Sequence, residues 1–75
     1  MNLYHLKRSD HVGYDETAEM VVAAESAAKA RTVASGNTAD ENPAVWLDSA
    51  KSTVRIIGTA KTTVAGVVIR DIMWG

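Results

Sequence analysis

The sequence predicts an α+β fold with the element order β-β-α-β-β, in which a four-stranded, mainly antiparallel sheet carries one helix packed on one face. Two observations lead to this prediction. β-branched residues concentrate in two runs of strand length, residues 53–59 and 67–72. A single alanine-rich segment, residues 27–34, has the composition of a short helix. The remaining segments supply two further strands and the loops.

The chain has 75 residues, of which 47% are apolar, and it contains no cysteine. This length predicts a single domain, residues 1–75, near the lower size limit at which a hydrophobic core suffices without disulfides or metals. The lack of cysteine fits a reducing cytoplasm. No signal-peptide pattern opens the chain, and no apolar run approaches about 18 residues. We therefore expect a cytoplasmic protein that makes no membrane contact.

Residues 3–8 and 17–24 alternate polar and apolar side chains, as half-buried strands do. Between them, residues 9–16 combine acidic and turn-forming residues around Gly13. We therefore predict a β-hairpin with an exposed loop at its tip. The residues of the second strand that are predicted to face away from the core are Thr17, Glu19 and Val21.

Ser26 precedes the alanine-rich segment and Gly36 follows it, and these residue types are preferred at a helix N-cap and just beyond a helix C-terminus. A helix this short takes its stability from docking onto other elements. The residues spaced to pack on the sheet are Ala27, Ala30, Val33 and Ala34.

Residues 37–43 are polar and include the only proline of the chain, so we predict a surface loop. A short apolar patch follows at residues 44–47. Its tryptophan, Trp46, is predicted to fill one end of the core.

The two β-branched runs are predicted to be neighbouring antiparallel strands joined by residues 61–66. Arg55 and Arg70 would then lie across from one another on an exposed face of the sheet. Such a basic face suits phosphates, which makes a weak nucleic-acid-binding module one alternative function. The net charge of −1 and the scarcity of aromatic residues on the strands disfavour that alternative. The residues predicted to extend this basic side are Lys7, Arg8 and Lys51.

Residues 10–16 hold carboxylates and an imidazole close together, but their spacing matches no calcium-binding loop. No serine lies in a nucleophile motif, and no glycine-rich phosphate loop is present. We therefore predict no catalytic residue, no metal site and no cofactor. Partner recognition is the alternative interpretation of this loop, because an exposed tyrosine, Tyr14, offers a large contact area at low entropic cost.

Bulky apolar residues stand near the end of the chain, and the sequence leaves two interpretations of Trp74 open. The indole either folds back onto the core or covers an edge of the sheet. Alternatively it anchors an interface, in which case the protein forms a homodimer through Trp74 or the terminal strands.

A series of short motifs spans nearly the whole chain: residues 4–8; Asp10 and residues 12–16; Val21, Val22 and Ala24; Ala30 and Arg31; residues 45–48; Ser52 and Thr53; Ile57, Gly58 and Ala60; residues 66–68; and Arg70 and Asp71. This series resembles small uncharacterised proteins encoded by bacteriophages and prophages. Ser49 and Met73 depart from that pattern, which has a proline after the Trp-Leu-Asp segment and a Phe-x-x-Gly ending. The resemblance implies a phage origin and transfers no activity or functional residue.

The predicted element order is similar to that of several anti-CRISPR and other anti-defence inhibitors of phages, which is an analogy at the level of the fold. The leading hypothesis is a non-enzymatic binding protein that occludes a host protein complex, such as a bacterial defence complex, in the host-cell cytoplasm. A self-associating structural or regulatory phage protein is the second hypothesis. The residues predicted to contact the partner are Tyr14, Asp15, Glu16, Arg55 and Arg70.

Overall fold

A computed structural model describes residues 1–73 of the chain, and its elements follow the predicted order. A short 3₁₀ turn, Pro43–Trp46, takes the place of the predicted apolar patch after the helix. No helix within the described residues combines the length and hydropathy needed to cross a membrane. The strands and the helix are β1 (Asn2–Arg8), β2 (Glu16–Ala24), α1 (Ala27–Ser35), β3 (Ser52–Thr59) and β4 (Gly66–Met73).

The four strands form one sheet in the order β3-β1-β2-β4, and every neighbouring pair is antiparallel. The predicted α+β architecture is therefore confirmed, but the prediction that the last two strands are neighbours is wrong. β3 and β4 lie at opposite edges, because β1 and β2 pair as a hairpin and each accepts one C-terminal strand on its free side.

The connection between β3 and β4 is long enough for this arrangement. Three strand spacings measure about 14 Å, and the six residues 60–65 can span about 20 Å. The connection is tied to the start of β1, since the N–H of Ala60 donates to the carbonyl of Met1 at 2.7 Å. β-branched composition marks a segment as a strand but does not encode which strand lies beside it.

Helix α1 begins at its N-cap Ser26, whose hydroxyl accepts from the N–H of Lys29 at 3.2 Å, and ends at Gly36, both as predicted. Ala30 and Ala34 are buried on the sheet, and Val33 packs beside them. Ala27 is exposed, so its predicted place on the packing stripe is wrong; the helix docks through Ala30, Val33 and Ala34. The buried core residues are Tyr4, Leu6, Met20, Val22, Ala24, Ala30, Ala34, Val45 and Trp46.

Thr17 is buried, although the alternation along β2 predicts that it faces away from the core. The pairing of β2 with β4 shifts register between Thr17 and Glu19. An extra residue in one strand reverses the side-chain alternation beyond it, which turns Thr17 inward.

The loop after α1 contains a buried carboxylate, that of Glu41, so the prediction of a simple surface loop is incomplete. One carboxylate oxygen of Glu41, Oε1, accepts from the backbone N–H groups of Thr17 at 2.9 Å and Ala39 at 3.0 Å. The other, Oε2, accepts from the indole Nε1 of Trp46 at 2.9 Å. Trp46 is fully buried, which confirms its predicted place in the core. Glu41 thus joins β2, the loop and the 3₁₀ turn.

Arg31 of α1 is half-buried and ties the helix to the 3₁₀ turn and to β3. Its Nη1 donates to the carbonyl of Trp46 and to the hydroxyl of Ser52, both at 2.9 Å. Its Nη2 donates to the carbonyl of Ser52 at 3.0 Å. The start of β3 is therefore fixed against the helix by a single guanidinium group.

We expect the substitution Glu41→Gln to lower the free energy of unfolding by about 2–3 kcal/mol, because the amide nitrogen of glutamine would face an N–H donor and leave buried groups unpaired. Urea denaturation measures this loss. Asp40→Asn is the matched control, since Asp40 is the exposed acidic neighbour of Glu41. Equal stability of Glu41→Gln and the wild type would contradict the structural role of this carboxylate.

The stability that Glu41 contributes should depend on pH. Burial alone would raise the pKa of Glu41, but the hydrogen bonds from the Thr17 N–H and the Trp46 indole hold the pKa below its ordinary value. The contribution is then complete above the ordinary pKa of glutamate, about 4.3, and is lost as pH falls through the lower pKa of the folded state. Denaturation curves recorded from neutral pH into the acid range should show a smaller acid loss for Glu41→Gln than for Asp40→Asn.

Candidate functional site

The loop between β1 and β2, residues 9–15, is called the tip, and it is built around the buried side chain of Arg8, which is 3% exposed. The guanidinium forms a bidentate ion pair with the carboxylate of Asp10. Its Nε donates to Oδ1, and its Nη2 donates to Oδ2 at 3.0 Å. Nη2 also donates to the carbonyl of His11 at 3.0 Å and to the carboxylate of Glu16 at 3.2 Å. Nη1 donates to the carbonyl of Thr17 at 3.3 Å. The tip is therefore held together by contacts to a single guanidinium group, that of Arg8.

This network assigns structural roles to the carboxylates of Asp10, in the tip, and of Glu16, at the start of β2. The hydrogen bond from Arg8 is the main reason why the pKa of Asp10 lies below its ordinary value. The side chain of Glu16, a predicted contact residue, is 27% exposed and bound to Arg8. Glu16 therefore stabilises the tip through its ion pair with Arg8. Arg8 is absent from the surface, so its predicted place on a basic side is wrong.

The backbone of the tip is fixed on both sides. Asp15 has a left-handed backbone with φ of 61°, its N–H donates to the carbonyl of Met73, and its own carbonyl accepts from the N–H of Asp40 at 3.0 Å. A Cβ atom at Gly13 would lie 3.0 Å from the Glu16 carboxylate, so the loop passes close over that group. These contacts hold the tip against the end of β4 and the loop after α1.

Tyr14 is 73% exposed on this fixed backbone, as the sequence predicts for the residue at the end of the hairpin. Asp15 is exposed beside it. An open depression adjoins the tyrosine, and the described residues that line it are His11, Val12, Gly13, Tyr14 and Met73. The tip thus presents an aromatic side chain next to a shallow concave surface.

A second candidate surface is the face of the sheet opposite α1, which we call the open face. Helix α1 and the 3₁₀ turn both pack with the core residues on the other side of the sheet. Cross-strand pairing brings together Arg55, His5, Val21 and Ile69 in one row and Thr53, Lys7, Glu19 and Asp71 in the next. These eight residues form the centre of the open face.

Arg55 and Arg70 do not lie across from one another, so that prediction is wrong. Arg55 pairs with His5 and belongs to the open face, on β3. Arg70 pairs with Met20, whose side chain is in the core, and therefore lies on the α1 side at the β4 edge. Its Nη1 donates to the carbonyl of Asn37 at 2.7 Å. The predicted basic side is not assembled, because β3 and β4 are at opposite edges.

The open face contains one pair with the residue types of acid–base chemistry. Nε2 of His5 lies 3.1 Å from Oε1 of Glu19, in a small depression that Ile69 and Asp71 help to line. The residues that line this depression include no serine, threonine or tyrosine that could act as a nucleophile beside the pair. Across residues 1–73, no group of three or more histidine and acidic side chains is placed to hold a metal ion. The arrangement is that of a cross-strand pair.

Sequence reasoning did not identify three charged residues of the open face, Lys7, Glu19 and Asp71, as members of one surface. The outward positions of Lys7 and Glu19 follow from the alternation of β1 and β2. Asp71 could not be added, because its place depends on the pairing of β4 with β2. The predicted role of Trp74 concerns a residue outside the described range 1–73.

Comparisons with known proteins gave no match: no protein-family model, no curated protein and no solved structure is similar to this chain at a significant level. The resemblance to phage proteins stays a prediction, on which these comparisons do not bear.

We expect Arg8→Lys to lower the free energy of unfolding by at least about 2 kcal/mol, because an ammonium group cannot reproduce the forked contacts of a buried guanidinium. The backbone amide of Glu16, which donates to Gly13, should also exchange its hydrogen faster. Arg55→Lys is the control, as Arg55 is exposed and makes no side-chain hydrogen bond or ion pair with residues 1–73. Unchanged exchange in Arg8→Lys would show that other contacts hold the tip.

Proposed function

We propose that this protein is a non-enzymatic binding module that attaches to a host protein complex through the tip, with Tyr14 as the anchor residue. The observation that carries the proposal is the exposure of Tyr14, 73%, on a loop whose backbone is held by Arg8, Met73 and Asp40. The tyrosine ring is thus exposed on a backbone that is already held in place before any contact is made.

Binding costs less when the contact residue is already ordered. A flexible loop loses conformational entropy when it docks, whereas the tip keeps its backbone conformation. Tyrosine adds a large contact area and a hydroxyl group with few rotatable bonds. The partner would then offer a pocket for the phenol ring, with Asp15 at the rim of the contact. Arg70 lies elsewhere on the molecule, on the α1 side of the sheet, and is not part of this surface.

The nature of the partner is a further step of the same proposal. The motif resemblance to phage proteins favours a bacterial defence complex as the partner, which would make the protein an anti-CRISPR or other anti-defence inhibitor acting by occlusion. This step rests on that resemblance and on an analogy of element order. The proposal that Tyr14 anchors a protein contact does not require it.

We expect Tyr14→Ala to weaken binding to a captured host protein by at least about 30-fold, the effect of losing an anchor residue worth about 2 kcal/mol. Tagged protein is used to capture partners from a host lysate, and the affinity of the purified partner is then measured by calorimetry. Tyr14→Phe, which keeps the ring, should bind within a few-fold of the wild type.

Val64→Ala is the matched control, because Val64 is also 73% exposed but lies in the connection between β3 and β4. Circular dichroism of each variant checks that the fold is kept. A partner bound equally well by Tyr14→Ala and the wild type would refute the tip as the contact surface. Failure to capture any host protein would count against the binding module itself.

A further inference from the structure

The open face is divided into a basic half and an acidic half. The basic half, on β3 and β1, carries Arg55 and Lys7, and the acidic half, on β2 and β4, carries Glu19 and Asp71. Apolar side chains lie among these charges, and one of them, Ile69, is 63% exposed. The surface is therefore amphipathic, with its charges sorted by sign across the sheet.

Most of these charges have no partner within the described chain. The side chains of Lys7, Arg55 and Asp71 are exposed and make no hydrogen bond or ion pair with residues 1–73. Glu19 pairs with His5 at 3.1 Å and keeps 43% of its side chain exposed. The charges of the open face are thus available to groups on another molecule.

We infer that two copies of this chain pack open face against open face about a twofold axis parallel to the strands. This axis places β3 of one copy over β4 of its partner, and β1 over β2. Lys7 then faces the partner's Glu19, and Arg55 lies close to the partner's Asp71. Each contact occurs twice, as twofold symmetry requires.

The charge pattern selects this axis over the alternative. A twofold axis across the strands would place β3 over β3 and β4 over β4, so that Arg55 would approach its own copy and Asp71 would do the same. Like charges placed opposite each other at an interface cost several kcal/mol. With the axis parallel to the strands, each of these charged side chains approaches one of opposite charge on the other copy. The apolar residues between them are then buried against the other copy.

The area is sufficient for a weak dimer. Four strands about 4.8 Å apart and eight residues at about 3.3 Å each give the open face a footprint of about 500 Å². Two copies would bury about 1,000 Å², which is the lower end of specific interfaces. The dimer is therefore expected to form at micromolar to millimolar concentrations. It does not involve the tip, so it goes beyond the proposed function.

Sedimentation velocity over a range of about 10 µM to about 1 mM tests this arrangement. The wild type should move from monomer to dimer mass across the range. Arg55→Glu and Asp71→Arg should each raise the dissociation constant at least about tenfold, because each creates two repulsive contacts. Lys61→Glu, a charge reversal in the connection between β3 and β4, should leave it unchanged.

Mixing the two variants gives the sharper result. A heterodimer of Arg55→Glu with Asp71→Arg has opposite charges at both contacts, so an equimolar mixture should regain dimer mass that neither variant shows alone. Within one chain these residues lie on opposite edges of the sheet, so no intramolecular contact can produce the rescue. Thermal unfolding of each variant at low concentration checks that the fold is kept.

The remaining outcomes overturn the inference. A wild type that stays monomeric at about 1 mM would exclude the dimer. Dimerisation that neither variant weakens would exclude the open face and point to pairing through the strand edges. Weakening by both variants without rescue in the mixture would exclude the axis parallel to the strands and leave the open face to a different partner.

Discussion

The carboxylate of Glu41 is the interaction on which the rest of this small fold depends. Three N–H donors from different segments, those of Thr17, Ala39 and Trp46, converge on it inside the protein. The contact places Trp46, the largest fully buried side chain among residues 1–73, beneath the sheet and holds the end of β2 that leads to the tip. A buried charge with matched donors specifies one arrangement, because any other leaves the charge or a donor unpaired.

Two arginines extend the same principle to the rest of the molecule. Arg8 closes the tip, and Arg31 ties α1 to Trp46 and to the start of β3. The apolar core is small: it has nine buried residues within the described chain, and three of them are alanines. Buried hydrogen-bonded ions therefore fix the loops that a larger core would fix by packing. As a result, the tip and the loop after α1 are held in place by hydrogen bonds in spite of their polar composition.

The sequence contained enough information for the element order, the ends of α1, the burial of Trp46 and the exposure of Tyr14. These features follow from local signals: a serine before an alanine run, a glycine after it, and a tyrosine in a polar hairpin loop. Which strands lie next to β3 and β4 could not be predicted. Both carry β-branched residues on both faces, and no local signal distinguishes an edge strand from a central one. Glu41 and Arg8 were missed for a related reason, since their burial depends on donors and acceptors distant in sequence. The position of Arg70 on the α1 side, for example, follows only from its pairing with Met20 of β2.

The tip lies at one end of the β1–β2 hairpin, beyond residues Arg8 and Glu16. Rotation about an axis parallel to the strands leaves that end unchanged, so a dimer formed through the open faces would carry both tyrosines on the same side. A host complex with repeated subunits would then be held at two points. The second attachment would occur at high effective concentration, so that avidity could compensate for a weak single contact.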